Sequence, residues 1–180
     1  MGCVFLIRNE MIEMICSRRS VRTYSAGPVT DEAVSAMLEC ARFAPSGLNN
    51  QPWRFIVVDD KEIARLLSPL THYSDIIQSA PLLIAVFLDT AASYHREKDL
   101  TAIGACIQNI LLAAHSMELG AVWLGEILKN KDKVSKILNA PPEFELMAVV
   151  AVGQPRTASS GTASRKPLDE IVYKNGYSKL

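Results

Sequence analysis

Five consecutive residues, Arg18-Arg19-Ser20-Val21-Arg22, crowd three guanidinium groups and a hydroxyl into one short stretch. A guanidinium is a planar fork of N–H donors that matches the oxygens of a phosphate, and a serine hydroxyl adds a neutral donor. Side chains alternate along an extended segment, so Arg18, Ser20 and Arg22 would share one side. Donors converging in this way suit a phosphate better than a base edge or a carboxylate. Two plainer readings fit the same residues: a solvated charged face, and a kinase target site of the form R-R-S-x-R.

A second stretch, Ala44-Pro45-Ser46-Gly47-Leu48-Asn49-Asn50-Gln51-Pro52-Trp53, joins a helix to a strand. Two prolines stiffen it, and Gly47 permits an unusual backbone turn. Ser46, Asn49, Asn50 and Gln51 bring uncharged side chains that both donate and accept. A flat heterocycle with alternating donors and acceptors, such as a flavin ring, needs such groups. A self-capping turn of ordinary turn residues is the bland alternative. In Gly120-Ala121-Val122-Trp123-Leu124-Gly125, small residues at a strand end let another group approach the backbone, although Trp123 equally suits a core. Arg165-Lys166 supplies a second basic pair, able to complete a phosphate site or to stand solvated.

No G-x-S-x-G, G-x-x-x-x-G-K-[ST] or G-x-G-x-x-G pattern occurs. Cys3, Cys16, Cys40 and Cys106 are far apart, and His72, His95 and His115 are scattered, so no metal site is expected. Buried thiols in a reducing cytoplasm account for the cysteines. The chain thus offers binding groups and little acid–base machinery, as expected where a cofactor carries the reaction.

The elements that must position these groups follow from periodicity and turn residues. Met11–Ser17 reads as a short helix. Thr30 caps a second helix, with Val34, Met37, Leu38 and Ala41 at helical spacing. Trp53–Val58 is a β-branched and aromatic strand, Lys61–Leu67 a helix, and Pro81–Leu88 a central strand buried on both faces. Leu100–Leu119 is the longest helix, with a stripe of Ile103, Cys106, Ile107, Ile110, Leu111 and Ala114 and further apolar residues on other faces. An apolar surface nearly all round suggests a subunit interface, with a central helix inside one chain as the alternative. Ala121–Ile127 is a strand, Lys131–Leu138 a helix, Leu146–Val152 a strand and Pro167–Val172 a last helical turn. Thr157–Ser164 reads as an exposed loop. Helices and strands mix without strict alternation, which favours α+β.

The totals agree with one domain: 180 residues, 49% hydrophobic and 21% charged, with Lys+Arg and Asp+Glu at 19 each. Zero formal net charge argues against a general nucleic-acid or anionic-membrane binder. No apolar run reaches the ~20 residues of a bilayer span. The first ten residues satisfy neither a signal-peptide nor a myristoylation pattern and read as an N-terminal extension.

Taken in order and spacing, R-R-S-V-R, A-P-S-G-L-N-N-Q-P-W, G-A-V-W-L-G and the closing V-G-Q-P…R-K-P-L-D-E-I-V resemble the nitroreductase family of flavoproteins, from about Met11 to Tyr177. The resemblance implies an α+β fold with a central mixed sheet flanked by helices. It also implies a homodimer with FMN at the interface, and the long helix forming much of that interface. Arg18, Ser20 and Arg22, with Arg19, would then reach the phosphate and ribityl chain, Arg22 also the pyrimidine edge. Pro45 and Ser46 of the partner subunit would face the isoalloxazine, with Leu48 and Asn49 close by. Leu124 and Gly125 would lie near N5, and Arg165 with Lys166 would complete the phosphate clamp. The family reaction is ping-pong: NADH or NADPH delivers hydride to the flavin and leaves, and a nitroaromatic or quinone acceptor then takes the electrons. A specialised dehydrogenase of the same family and a non-catalytic flavin-binding module are the alternatives. Iodotyrosine deiodinases share the first two motifs but carry an acidic lid with Tyr and Lys. The corresponding His72–Gln78 stretch here is short and lacks that set. Tyr94–Asp99 is a polar segment that either borders the substrate mouth or is a solvated loop.

Overall fold

A computed structural model of the chain describes residues 9–157 and 164–177. Cys3, most of the N-terminal stretch and most of the 157–164 loop lie outside the described residues. Four strands, β1 (Trp53–Val58), β2 (Leu82–Asp89), β3 (Gly120–Leu124) and β4 (Phe144–Gly153), form one sheet in the order β1-β2-β4-β3. Every strand pair is antiparallel. This corrects the expected mixed sheet: among the described residues, parallel pairing is confined to a single bridge between Ser20 and Ala121.

Each face of the sheet carries a hydrophobic layer. α2 (Asp31–Arg42) and α5 (Arg96–Ser116) cover one face, packing Met37, Ala41, Ile103, Cys106 and Ile110 onto Ile84, Val86, Val150 and Val152. α3 (Lys61–Leu67), α4 (Ser74–Ser79) and α6 (Lys131–Ile137) belong to the other, where Leu67, Ile77 and Val134 meet Leu83, Phe87, Val149 and Ala151. All eight residues of β2 are buried, as its unbroken apolar run demands. A bulge after Val86 lets Leu146 and Ala148, two apart, keep to opposite layers. The termini add α1 (Glu10–Ser17) and the short α7 (Leu168–Ile171).

α5 changes two expectations. It begins at Arg96, so the polar Tyr94–Asp99 segment is part loop and part first helical turn. Its apolar stripe is buried within the chain's own core, so the stripe needs no partner subunit. What α5 leaves partly open is a different face, with Gly104, Ala105, Gln108, Leu112 and His115. β3 ends at Leu124 and gives way to a tight helical turn over Glu126–Asn130.

Candidate active site

The basic run leaves α1 and lies along β3. Val21 N–H donates to the Ala121 carbonyl at 3.1 Å, and Tyr24 bridges Pro155. Gly120 makes the approach possible: a Cβ there would fall 2.6 Å from the Val21 Cβ. Val21 and Tyr24 face inward, and Tyr24 Oη donates to the Val21 and Ala151 carbonyls. Two inward residues three apart mean that simple two-residue alternation does not run the length of the segment.

Arg18 is half-buried, and its Nη1 is shut off from solvent with no hydrogen-bond partner. Burial, then Arg165, then Arg19 pull its pKa below the ordinary arginine value, so the three guanidinium groups lie within electrostatic reach of one another. Three like charges around an orphaned donor are a donor set that could hold a polyanion. Arg19 turns back to donate to the Cys16 and Arg18 carbonyls at 2.7 and 2.9 Å, capping α1. Arg22 is exposed, with its Nη1 3.5 Å from the Ser20 carbonyl. Arg165 and Lys166 are exposed beyond the undescribed loop residues.

The polar loop is strained. Leu48, Asn49 and Gln51 have φ of 54°, 55° and 48°, a left-handed region that costs an L-residue roughly 1–2 kcal/mol. Hydrogen bonds close the loop on itself: Gln51 N–H donates to Ser46 Oγ at 3.1 Å, and Asn49 N–H to the Ser46 carbonyl at 3.1 Å. The Tyr94 hydroxyl sits where a Gly47 side chain would be. Pro45 and Asn49 are exposed, and Leu48 is 85% exposed.

Leu124 is buried at the end of β3, and Gly125 is exposed just beyond it, beside the half-exposed Trp123. Next to them Glu126 accepts from Thr71 Oγ1 at 2.6 Å and from His72 N–H at 3.0 Å, and pairs with Lys129. Lys129, then Thr71, hold its carboxyl at about 2. Glu126 thereby ties the corner before α4 to the Gly125 turn. Sequence reading missed this tie, because its partners lie 55 positions apart.

Within one chain the predicted residues form two groups. The Arg18–Arg22 run lies along the start of β3, the strand that ends at Leu124 before Gly125, with Arg19 beside His115 at the C-terminal end of α5. Pro45, Ser46 and Gly47 lie on the β1 edge, against Lys98, Thr101, Ala102 and Ala105 near the N-terminal end of α5. From Ala105 to His115 the helix rises roughly 15 Å. Within one chain the two groups thus lie toward opposite ends of α5.

The Nitroreductase family model matches residues 15–72 and 68–154. An Archaeoglobus fulgidus protein assigned as an NADH dehydrogenase/NAD(P)H nitroreductase is 34% identical over 150 residues, 82% of this chain and 86% of its own. A Desulfovibrio desulfuricans protein assigned as a nitroreductase, solved in complex with FMN, superposes with a TM-score of 0.89 at 42% identity, covering 95% of this chain and 99% of its own. The NADPH:FMN oxidoreductase of Vibrio harveyi, solved with NAD+, gives a TM-score of 0.86 at 25% identity over 96% of this chain and 80% of its own.

Proposed function

The chain belongs to the nitroreductase family, and from that premise we propose that it is an FMN-dependent oxidoreductase. Its electrons come from NADH or NADPH and pass to a small organic acceptor of nitroaromatic or quinone type, in alternating half-reactions. The observation that carries the reading is the buried, unpartnered Nη1 of Arg18 inside a cluster of guanidinium groups. An unsatisfied buried donor costs about 1–3 kcal/mol, and more when charged. A phosphate removes that cost, and the FMN complex of the 42% identical structure supports FMN as its bearer.

Bound FMN supplies hydride acceptance and delivery; the protein supplies the holding. Arg18, Ser20 and Arg22, with Arg19 and with Arg165 and Lys166 from beyond the loop, hold the phosphate and the polar chain that follows it. Pro45, Ser46, Leu48 and Asn49 bound the ring from a second copy. The Leu124 side chain is anchored in the core and fixes the end of β3, while Gly125, with no side chain, leaves the backbone there approachable.

A two-fold dimer satisfies the separation of the two groups. Two α5 helices set antiparallel bring the Pro45 loop of one copy to the Arg18 edge of the other. The surface supports this arrangement: the open face of α5 is flanked by a hollow of about 570 Å³ lined by Met11, Met14, Cys40, Phe43 and Leu112. Phe43 is 70% exposed and Met11 60%, an apolar patch that asks for cover. We place the protein in a reducing cytoplasm, which suits the free Cys106, buried as expected, and the free Cys16 and Cys40, which are exposed and not buried as expected. Burial pushes the Cys106 thiol up to about 12, so it stays unreactive. No helix among the described residues is long and apolar enough to cross a membrane.

Incubation with FMN followed by gel filtration tests the reading. A yellow protein carrying one FMN per chain is expected. A chain that stays colourless in excess FMN contradicts it.

A further inference from the structure

Asp99 is a carboxylate for which the reading above has no use. It lies in the first turn of α5 and is 0% exposed. All of its hydrogen bonds come from neutral donors. Oδ2 accepts from Ser93 Oγ at 2.7 Å and from the Tyr94 and His95 N–H groups at 3.2 and 3.3 Å. Oδ1 accepts from Asn50 Nδ2 at 2.8 Å. Burial pushes the carboxyl up, but the bonds from Ser93, Asn50, His95 and Tyr94 outweigh it and hold the pKa below the ordinary value.

The two oxygens do different work. The Oδ2 contacts tie down the start of α5, whose N-cap His95 makes no side-chain capping bond. The Oδ1 contact leaves the helix and enters the 45–52 loop. Asn50 sits among three non-glycine residues with φ between 48° and 55°. A backbone in such conformations keeps its shape only where the surroundings over-determine it. The second hydrogen bond of Asn50 Nδ2, to the Ala92 carbonyl at 3.1 Å, fixes which way the amide points. Its Oδ1 is buried with no partner, so the amide is oriented by its donor side alone.

We propose that Asp99 is a positioning residue: through Asn50 it locks the strained loop in the shape that sets Ser46 and Asn49 against the flavin ring. The role rests on the FMN reading given above. Asp99→Asn separates the two tasks of the carboxylate. Its amide oxygen can still accept from Ser93, Tyr94 and His95, while its amide nitrogen then meets Asn50 Nδ2, donor against donor. The start of α5 keeps its bonds and the link to the loop is cut. Adding Asn50→Asp puts an acceptor opposite that nitrogen and remakes the link to position 99, while giving up the bond to the Ala92 carbonyl. Asn50→Ala cuts the same link from the loop side.

The experiment compares holo wild type, Asp99→Asn, Asn50→Ala and the Asp99→Asn/Asn50→Asp double variant. The readouts are bound FMN, the visible circular dichroism of the flavin, and kcat/KM for p-benzoquinone. All four are expected to keep FMN, because the phosphate end is held elsewhere. Both single variants are expected to alter the flavin dichroism and to lose on the order of tenfold or more in kcat/KM, the scale of a misplaced reacting group. The double variant is expected to recover part of both. Single variants with wild-type dichroism and kcat/KM, and only a lower melting temperature, would overturn the proposal. If Asp99→Asn does not fold, Asn50→Ala decides by the same criterion. Failure of the wild type itself to take up FMN would sink the underlying reading, and is seen before any variant is compared.

Discussion

Arg18 carries a burden that an ordinary surface arginine does not. It is half-buried, has an unpartnered Nη1, and lies near two further guanidinium groups. Exchanging Arg18 and Arg22 for alanine removes two charge-assisted donor sets, each worth about 1.5–3 kcal/mol. The double variant is therefore expected to raise the FMN dissociation constant by on the order of a hundredfold or more. Equilibrium titration followed by flavin fluorescence reads this directly, and unchanged affinity would remove the phosphate assignment. Arg18→Lys is expected to fall between, because one ammonium cannot reproduce the guanidinium fork.

Among the elements, β3 and its neighbours hold the site in register. Gly120→Ala would drive a methyl group into Val21, whose β-branched side chain has little room to turn. The expected result is displacement of the basic run from β3 and weaker FMN binding, with the rest of the sheet intact; circular dichroism and flavin titration together check it. Glu145 is a second stitch. It accepts from Arg96 at the start of α5 and from Lys131 at the start of α6. Arg96, then Lys131, hold its carboxyl at about 2 against an ordinary 4.5. A depressed carboxylate contributes stability above its unfolded pKa, and that contribution is lost as pH falls from about 4.5 to about 2. Glu145→Gln should therefore lower the melting temperature by a few degrees at pH 7. The gap to wild type should close by pH 2, and a constant gap at both pH values would contradict the assignment.

The same elements show what a sequence can reveal. β1 and α3 were legible to the residue, because β-branched runs and an Asp60 N-cap mark their ends. The N-terminus of α5 was not: its N-cap His95 makes no capping bond and its first turn is charged, so it resembles a loop. α4 was missed because six residues are too few to show a period. At the site, the arginine run and the proline-flanked loop announce themselves locally. The Asp99–Asn50 link does not, since its partners are 49 positions apart and neither belongs to a recognisable pair. Antiparallel pairing of all four strands was equally hidden, being decided by which strands pair and not by the pattern of any one.

For the molecule as a whole, the two halves of the proposed site lie on opposite edges of the sheet and toward opposite ends of α5. The exposed Phe43 and Met11 border the hollow beside α5, apolar surface that the proposed dimer would cover. Light scattering is expected to give twice the 19.8 kDa chain mass. A stable, FMN-loaded monomer would refute a shared site. The central claim is tested most directly by an anaerobic titration of the FMN-loaded protein with NADH and, separately, NADPH. The flavin absorption band is expected to bleach with one equivalent of at least one donor and to return on addition of a quinone or nitroaromatic. A flavin band that neither nucleotide bleaches would contradict the account, leaving a protein that binds the cofactor without turning it over.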